Sequence, residues 1–90
     1  MDKLAGCVAL ITGAGRGIGR SIAQSFASEG AKVAITARSE DEIKEVETLI
    51  ANEGGSALTL RADLSDRTAP SQIVARAQDH FGAIDILVNN

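Results

Sequence analysis

One stretch decides the fold of this chain: Val8-Ala9-Leu10-Ile11-Thr12-Gly13-Ala14-Gly15-Arg16-Gly17-Ile18-Gly19. Its first half is a largely apolar run, as expected of a strand that is buried on both faces of a parallel sheet. Its second half is rich in glycine, which lets the backbone take positive φ angles and approach a ligand closely. A helix that begins after such a turn presents free N–H groups and the positive end of its dipole to an anion. The stretch therefore predicts a site for the phosphate groups of a nucleotide.

Strand and helix patterns alternate along the rest of the chain. We expect strands at residues 7–12, 32–37, 57–62 and 84–88. Ile18, Ile22 and Phe26 lie four residues apart, which predicts a first helix over residues 17–29 with these side chains on its buried stripe. Ser39 is expected to cap a second helix, with Glu42 completing a capping box.

Glycine and proline mark the remaining helix ends. Gly54-Gly55 ends the second helix, Pro70 suits the first turn of a third, and Gly82 stops it. Strands that alternate with helices require a parallel sheet with right-handed crossovers. The predicted fold class is therefore α/β, a Rossmann-type doubly wound parallel sheet. Its strand order is 3-2-1-4 if the first two crossovers move outward on one side and the third returns beneath the sheet. Its topological switch point lies between the first and fourth strands, where ligands bind at the carboxyl ends of the strands.

Composition limits the classes of function. The chain has 90 residues and a net charge of -3, which argues against a nucleic-acid-binding surface. No apolar run approaches the roughly 20 residues of a membrane-spanning helix. Cys7 is the one cysteine, so no internal disulfide is possible; a small buried thiol in a reducing, cytoplasmic compartment is the expectation.

The glycine spacing Thr12-Gly13-x-x-x-Gly17-x-Gly19 resembles the signature of the short-chain dehydrogenase/reductase family. Two later stretches agree with it in order: Asp63-Leu64 after the third strand, and Leu87-Val88-Asn89-Asn90 at the end of the fourth. The resemblance covers the whole chain. The alternative for the glycine-rich segment is a tight strand-to-helix turn that binds no ligand.

The resemblance implies a cofactor role for particular residues. The glycines that would cradle the pyrophosphate are Gly13, Gly15, Gly17 and Gly19, and Ile18 would supply a backbone N–H. Asp63 would bind the adenine amino group, and Leu64 would form the wall beside the ring. Asn89 would help to hold the sheet, and Asn90 would approach the cofactor's ribose. Helix capping by Asp63 and strand-end capping by the two amides remain the alternatives.

The end of the second strand favours NADP(H) over NAD(H). A carboxylate at this point would bind the ribose hydroxyls of NAD and repel a 2′-phosphate. This chain has Ala37 followed by Arg38, and Arg16 lies in the glycine turn as a second basic residue, which carries a positive charge. Guanidinium groups bind phosphate through charge-assisted, often bidentate bonds. Thr36 and Ser39 could add hydroxyl donors, whereas the alternative for Arg38 is a solvated loop residue.

The remaining polar residues are expected to have structural roles and not to form a functional site. His80 lies at a helix end, where a cation suits the dipole, and no Cys/His set has metal-ligand spacing. An acidic cluster is expected to be a solvated helix face; it comprises Glu40, Asp41, Glu42, Glu45 and Glu47.

The family resemblance also implies what the chain lacks. Classical members run to roughly 250 residues as one domain, and their chemistry uses a Ser, a Tyr and a Lys beyond the region that matches this chain. The chain has no Tyr, so no catalytic residue is assigned. We expect residues 1–90 to be the NADP(H)-binding half of a single Rossmann domain, inactive alone and prone to aggregate through an apolar fourth strand.

The parent would be an NADP(H)-dependent homodimer or homotetramer that transfers hydride between the nicotinamide and a small-molecule carbonyl or alcohol. The start of the chain looks most like the 3-oxoacyl-carrier-protein reductase branch. Two alternatives remain: a truncated, non-catalytic nucleotide-binding or interaction fragment, and a site for S-adenosylmethionine.

Overall fold

The computed structural model describes residues 3–90. Strands and helices alternate, and their bounds are β1 (Val8–Thr12), α1 (Gly17–Ser28), β2 (Lys32–Ala37), α2 (Glu40–Asn52), β3 (Ser56–Arg61), α3 (Ala69–Phe81) and β4 (Ile86–Val88). The four strands form one parallel sheet in the order β3-β2-β1-β4. The predicted fold class and strand order are therefore confirmed.

The sheet separates two hydrophobic clusters, and the central strand β1 contributes side chains to both. Successive side chains of a strand point to opposite faces of the sheet. Ala9 and Ile11 accordingly pack in the cluster formed with α1 and α2, whereas Leu10 packs with Ile73 and Ala77 of α3. All five residues of β1 are buried. This burial explains why the strand reads as a nearly continuous apolar run.

Strands β1 and β4 begin one and two residues later than the sequence predicts, and contacts at their amino ends accompany this shift. The backbone N–H of Val8 donates to the Asp85 carboxylate at 2.9 Å, and the N–H of Asp85 donates to the Val8 carbonyl at 2.8 Å. This exchange precedes regular pairing, so β4 begins at Ile86 and not at residue 84. Cys7 lies just before β1 and is only half-buried, whereas the sequence analysis expected a buried thiol.

Two sequence-based expectations for the helices need correction. Ile18 is 72% exposed and does not belong to the buried stripe of α1, whose buried residues are Gly19, Ala23 and Ala27. The buried stripe runs through positions 19, 23 and 27, and Ile18 stands one residue, or about 100°, away from it around the helix. Ser39 does cap α2 by accepting from the Glu42 N–H at 3.3 Å, but the Glu42 carboxylate lies against Arg16 and does not complete the capping box.

The outer strand β4 presents apolar side chains at the edge of the sheet. Leu87 is 62% exposed, and its neighbours Ile86 and Val88 are half-buried. An apolar edge strand invites pairing with another strand. Within residues 3–90, every helix is too short or too polar to span a bilayer.

Candidate cofactor-binding site

A cavity of about 510 Å³ opens at the carboxyl ends of β1, β2 and β3. The glycine turn, the last two residues of β2 and residues that follow β2, β3 and β4 form its walls. They are Gly13, Gly15, Arg16, Thr36, Ala37, Arg38, Ser39, Glu42, Ala62, Asp63, Leu64, Ser65 and Asn90. Three predicted cofactor residues, Gly17, Ile18 and Gly19, lie outside this lining and form the first turn of α1.

The glycine turn is held by backbone contacts that only small residues allow. Gly13 and Gly17 have φ angles of +61° and +62°, where a side chain would be strained. The Ala14 N–H donates to the Thr36 carbonyl at 3.0 Å and fastens the turn to β2. A Cβ on Gly19 would overlap the Gly13 carbonyl oxygen and lie 2.8 Å from Asn90 Nδ2. The first turn of α1 therefore packs directly on the strand-to-helix turn.

The absence of a side chain on Gly15 brings α2 against the same turn. A Cβ at this position would lie 2.9 Å from Glu42 Oε1 and 3.2 Å from the Ala37 Cβ. Gly15 is buried. The turn is thus packed between α1 on one side and the start of α2 on the other.

The last two residues join the end of β4 to the glycine turn. The Asn90 N–H donates to Thr12 Oγ1 at 2.9 Å, and Asn90 Nδ2 donates to the Gly13 carbonyl at 3.2 Å. The Thr12 hydroxyl lies 3.3 Å from Asn89 Oδ1. These bonds place both amides at the switch point, between the ends of the first and fourth strands. They tie the carboxyl end of β4 to that of β1, and they hold Asn90 in the cavity lining.

Four charged side chains line the cavity, two of each sign. Arg16 Nε lies 3.9 Å from Glu42 Oε2, and the side chains are 85% and 39% exposed. Arg38 is also exposed, and its charge is among the factors that lower the pKa of Asp63. The sequence had predicted Arg16, Arg38 and Asp63 at the site, and Glu42 is a fourth charged residue there.

Asp63 does not cap a helix. Its Oδ1 accepts from the Ser65 hydroxyl at 2.7 Å and from the Ser65 N–H at 3.0 Å. These two bonds are the main cause of a lowered pKa, and the positive charges of Arg38 and Arg61 lower it further. The N-cap residue of α3 is Thr68, five positions later in the chain. Helix capping, the alternative for Asp63, is thus excluded, and the carboxylate is held ionised at the cavity wall.

Thr36 and Ser39 differ in their freedom to bind a ligand. Ser39 Oγ already accepts the α2 capping bond but keeps its own proton to donate. Thr36 is fully buried in the cavity wall, and among residues 3–90 its Oγ1 has no hydrogen-bond partner. An unpaired buried hydroxyl costs about 1–3 kcal/mol. The site therefore contains one polar group that the protein itself does not satisfy.

The start of α1 fits an anionic ligand. Arg16 occupies the N-cap position without a side-chain capping bond, and the first turn contains no acidic residue. The N–H groups of a first helical turn have no acceptor within the helix. Nothing lies within 4 Å of the position that a Cβ on Gly17 would occupy, so the backbone is open there. These features suit the phosphates of a nucleotide, whereas no cluster suited to a metal ion occurs within residues 3–90.

Sequence reasoning missed Glu42. The acidic residues of α2 were interpreted as a solvated face, and Glu45 fits that description because its carboxylate pairs with Arg20 at 2.8 Å on the outside of the helices. Glu42 instead lines the cavity. Its position could have indicated this location. Glu42 comes three residues after the N-cap Ser39, and a side chain at that helix position points back toward the end of the preceding strand.

The chain matches a known family over nearly its whole length. The family model of the short chain dehydrogenases matches residues 7–90. Among curated relatives, a short chain dehydrogenase of Pseudocercospora fijiensis is 42% identical over 87 residues, covering 97% of this chain and 28% of that protein.

Solved structures agree with this match. A hydroxysteroid dehydrogenase from Escherichia coli superposes with a TM-score of 0.94 and 40% identity, covering 97% of this chain and 37% of that one. A metagenomic short-chain oxidoreductase in complex with NADP has a TM-score of 0.92 and 41% identity, covering 97% of this chain and 39% of that one. The chain therefore spans well under half the length of the proteins it matches.

Proposed function

Because the chain belongs to the short chain dehydrogenase family, we propose that it forms the NADP(H)-binding part of an oxidoreductase. One observation carries the proposal. Arg16, the N-cap residue of α1, and Arg38 line one cavity, where the last residue of β2 is the uncharged Ala37. The open first turn of α1 follows Arg16 directly, so donors for a pyrophosphate lie next to a cavity with positive charge for a further phosphate.

The proposed roles follow the positions of the residues around the cavity. The first turn of α1, with Gly17, Ile18 and Gly19, binds the pyrophosphate through backbone N–H groups. Gly13 and Gly15 keep the turn small enough for this approach. Arg38, with Arg16, binds the 2′-phosphate that distinguishes NADP(H) from NAD(H).

The adenosine end of the cofactor is assigned to the residues after β3 and β4. Asp63 accepts a hydrogen bond from the adenine amino group; its lowered pKa favours the carboxylate, which is the stronger acceptor. Leu64, which is 41% exposed, forms an apolar wall beside the ring. Asn90 approaches the ribose from the end of β4, in addition to its bond to Gly13.

The activity of the whole protein is proposed from the family. When bound, the nicotinamide cofactor donates or accepts the hydride, and the substrate is a small-molecule carbonyl or alcohol. This chain's residues bind and orient the cofactor, and residues 1–90 make up one half of a single Rossmann domain. We propose a homodimer or homotetramer, with catalytic residues outside these 90 positions. The 3-oxoacyl-carrier-protein reductase branch remains a hypothesis.

The choice between NADPH and NADH is tested by fluorescence titration of the purified protein. We expect wild type to bind NADPH more tightly, and Arg38→Asp to lose about 10- to 100-fold of that affinity while NADH binding changes little, since a hydrogen bond to a charged group contributes about 1.5–3 kcal/mol. Arg76→Asp, an equal charge change in the exposed part of α3 on the other face of the sheet, is the matched control. Unchanged preference in Arg38→Asp would contradict the NADP(H) assignment. Failure of the wild type to bind either cofactor would favour a non-catalytic interaction fragment.

A further inference from the structure

We propose that Glu42 is a specificity-determining residue that weakens the preference for a phosphorylated cofactor by competing with phosphate for Arg16. This inference rests on the proposed function and deepens it. Both arginines of the cavity act on a carboxylate: the charge of Arg38 lowers the pKa of Asp63, and Arg16 lies beside Glu42.

Local structure fixes the position of Glu42. Ser39 caps α2 through the Glu42 N–H, so the Glu42 side chain leaves the helix in its first turn, next to the end of β2. The missing Cβ of Gly15 leaves room for it, because a methyl group there would lie 3.0 Å from the Glu42 Cβ and 2.9 Å from Oε1. Glu42 thus lies in the wall of the cavity, whereas its helix neighbours Glu40 and Asp41 do not line it.

The Glu42 carboxylate and a bound phosphate would compete for the same guanidinium, that of Arg16. The Arg16 side chain is 85% exposed, and its Nε lies 3.9 Å from Glu42 Oε2, so most of the guanidinium is open to an incoming anion. An anion that binds this guanidinium comes close to a second negative charge. Phosphate must therefore displace the carboxylate from Arg16 or bind beside it, and either course lowers its net attraction. NADH carries no 2′-phosphate and does not meet this competition.

The test is Glu42→Gln, which removes the charge but keeps the side-chain size and its packing against Gly15. The ion pair is largely solvent-exposed, which limits the effect to roughly two- to fivefold tighter NADPH binding. The affinity for NADH should change less than about 1.5-fold, since its adenosine ribose carries no charge. Both affinities are measured by fluorescence titration at low ionic strength, where exposed charges are screened least.

Glu45→Gln provides a matched control. Glu45 lies in the next turn of the same helix, and its carboxylate pairs with Arg20 of α1 at 2.8 Å, outside the cavity. The two variants share the same change in net charge and the loss of one contact between α1 and α2. We expect Glu45→Gln to leave NADPH affinity unchanged. Equal gains in both variants would show a general charge effect and overturn the inference.

A second background tests the competition itself. The Arg16→Gln background lacks the guanidinium for which the two anions compete. Adding Glu42→Gln there should improve NADPH binding by less than about 1.5-fold, a change small enough to count as no coupling. A full gain in this background would refute a role through Arg16. An unchanged NADPH affinity in Glu42→Gln alone, in a wild type that prefers NADPH, would overturn this inference and leave the proposed function standing. A wild type without such a preference would overturn both.

Discussion

Gly19→Ala is expected to damage both the stability of the chain and its cofactor site. The added Cβ would overlap the Gly13 carbonyl oxygen and lie 2.8 Å from Asn90 Nδ2. The carbonyl belongs to the backbone and cannot rotate away, so α1 must shift relative to the turn. That shift also strains the Asn90–Gly13 hydrogen bond of 3.2 Å at the end of β4.

The size of the effect follows from three contributions. Overpacking of a close contact costs about 1–3 kcal/mol, and loss of the exposed Asn90–Gly13 bond adds about 0.5 kcal/mol. Alanine is favoured over glycine within a helix by at most about 1 kcal/mol, and by less in the first turn. We therefore expect Gly19→Ala to lower the free energy of unfolding by about 1–3 kcal/mol. The misplaced first turn of α1 should weaken NADPH binding about tenfold or more, as small displacements of a binding group commonly do.

The measurements are urea denaturation and NADPH titration, with Gly54→Ala as the control. Gly54 has a φ of +85° and open space around its missing Cβ, far from the cavity. Alanine there costs about 1–2 kcal/mol because of the left-handed backbone, but should leave NADPH affinity unchanged. If Gly19→Ala is as stable as wild type and binds NADPH equally well, the argument from close packing is wrong. Weaker binding in both variants would mean that lost stability, and not the turn, controls affinity.

Three further predictions concern single side chains. Thr36→Val should raise the stability of the ligand-free protein by about 1 kcal/mol, because it removes a buried hydroxyl that has no partner; a lower thermal midpoint would contradict this. Asp85→Ala should cost about 1–3 kcal/mol in chemical denaturation, since it leaves the Val8 N–H without its acceptor; Asp79→Ala, an exposed acid on α3, should be nearly neutral. Ser65→Ala should raise the pKa of Asp63 toward 3.8, measured by NMR titration, because it removes the hydroxyl that favours the carboxylate. The folded-state pKa of Asp63 is lowered, so its contribution to stability is present above pH 3.8 and is lost as the pH falls through the folded-state value; in Ser65→Ala that acid-sensitive part should shrink.

Sequence patterns were sufficient for the order and type of every element. The apolar run that ends at Thr12 reflects burial on both faces of the sheet, which gives a continuous apolar stretch. The helical spacing of Ile73 and Ala77 reflects burial on one face, which gives a periodic pattern. Boundaries were less accurate because they depend on single contacts from distant parts of the chain. The start of β4 is one case, since the exchange between Val8 and Asp85 joins residues 77 positions apart.

The sequence alone therefore determined the parallel sheet and the glycine turn at its carboxyl edge, because hydrophobic period and backbone freedom are local properties. The order of the strands came from the rules that govern crossover connections. Tertiary structure decided which charges share the cavity. Arg16 and Glu42 come from different elements, and only the packing of α2 against Gly15 brings them within 3.9 Å. The tertiary structure also left Ile18 exposed, although its spacing matched a buried stripe. Electrostatic interactions depend on distance in space, and that distance is set by the fold as a whole.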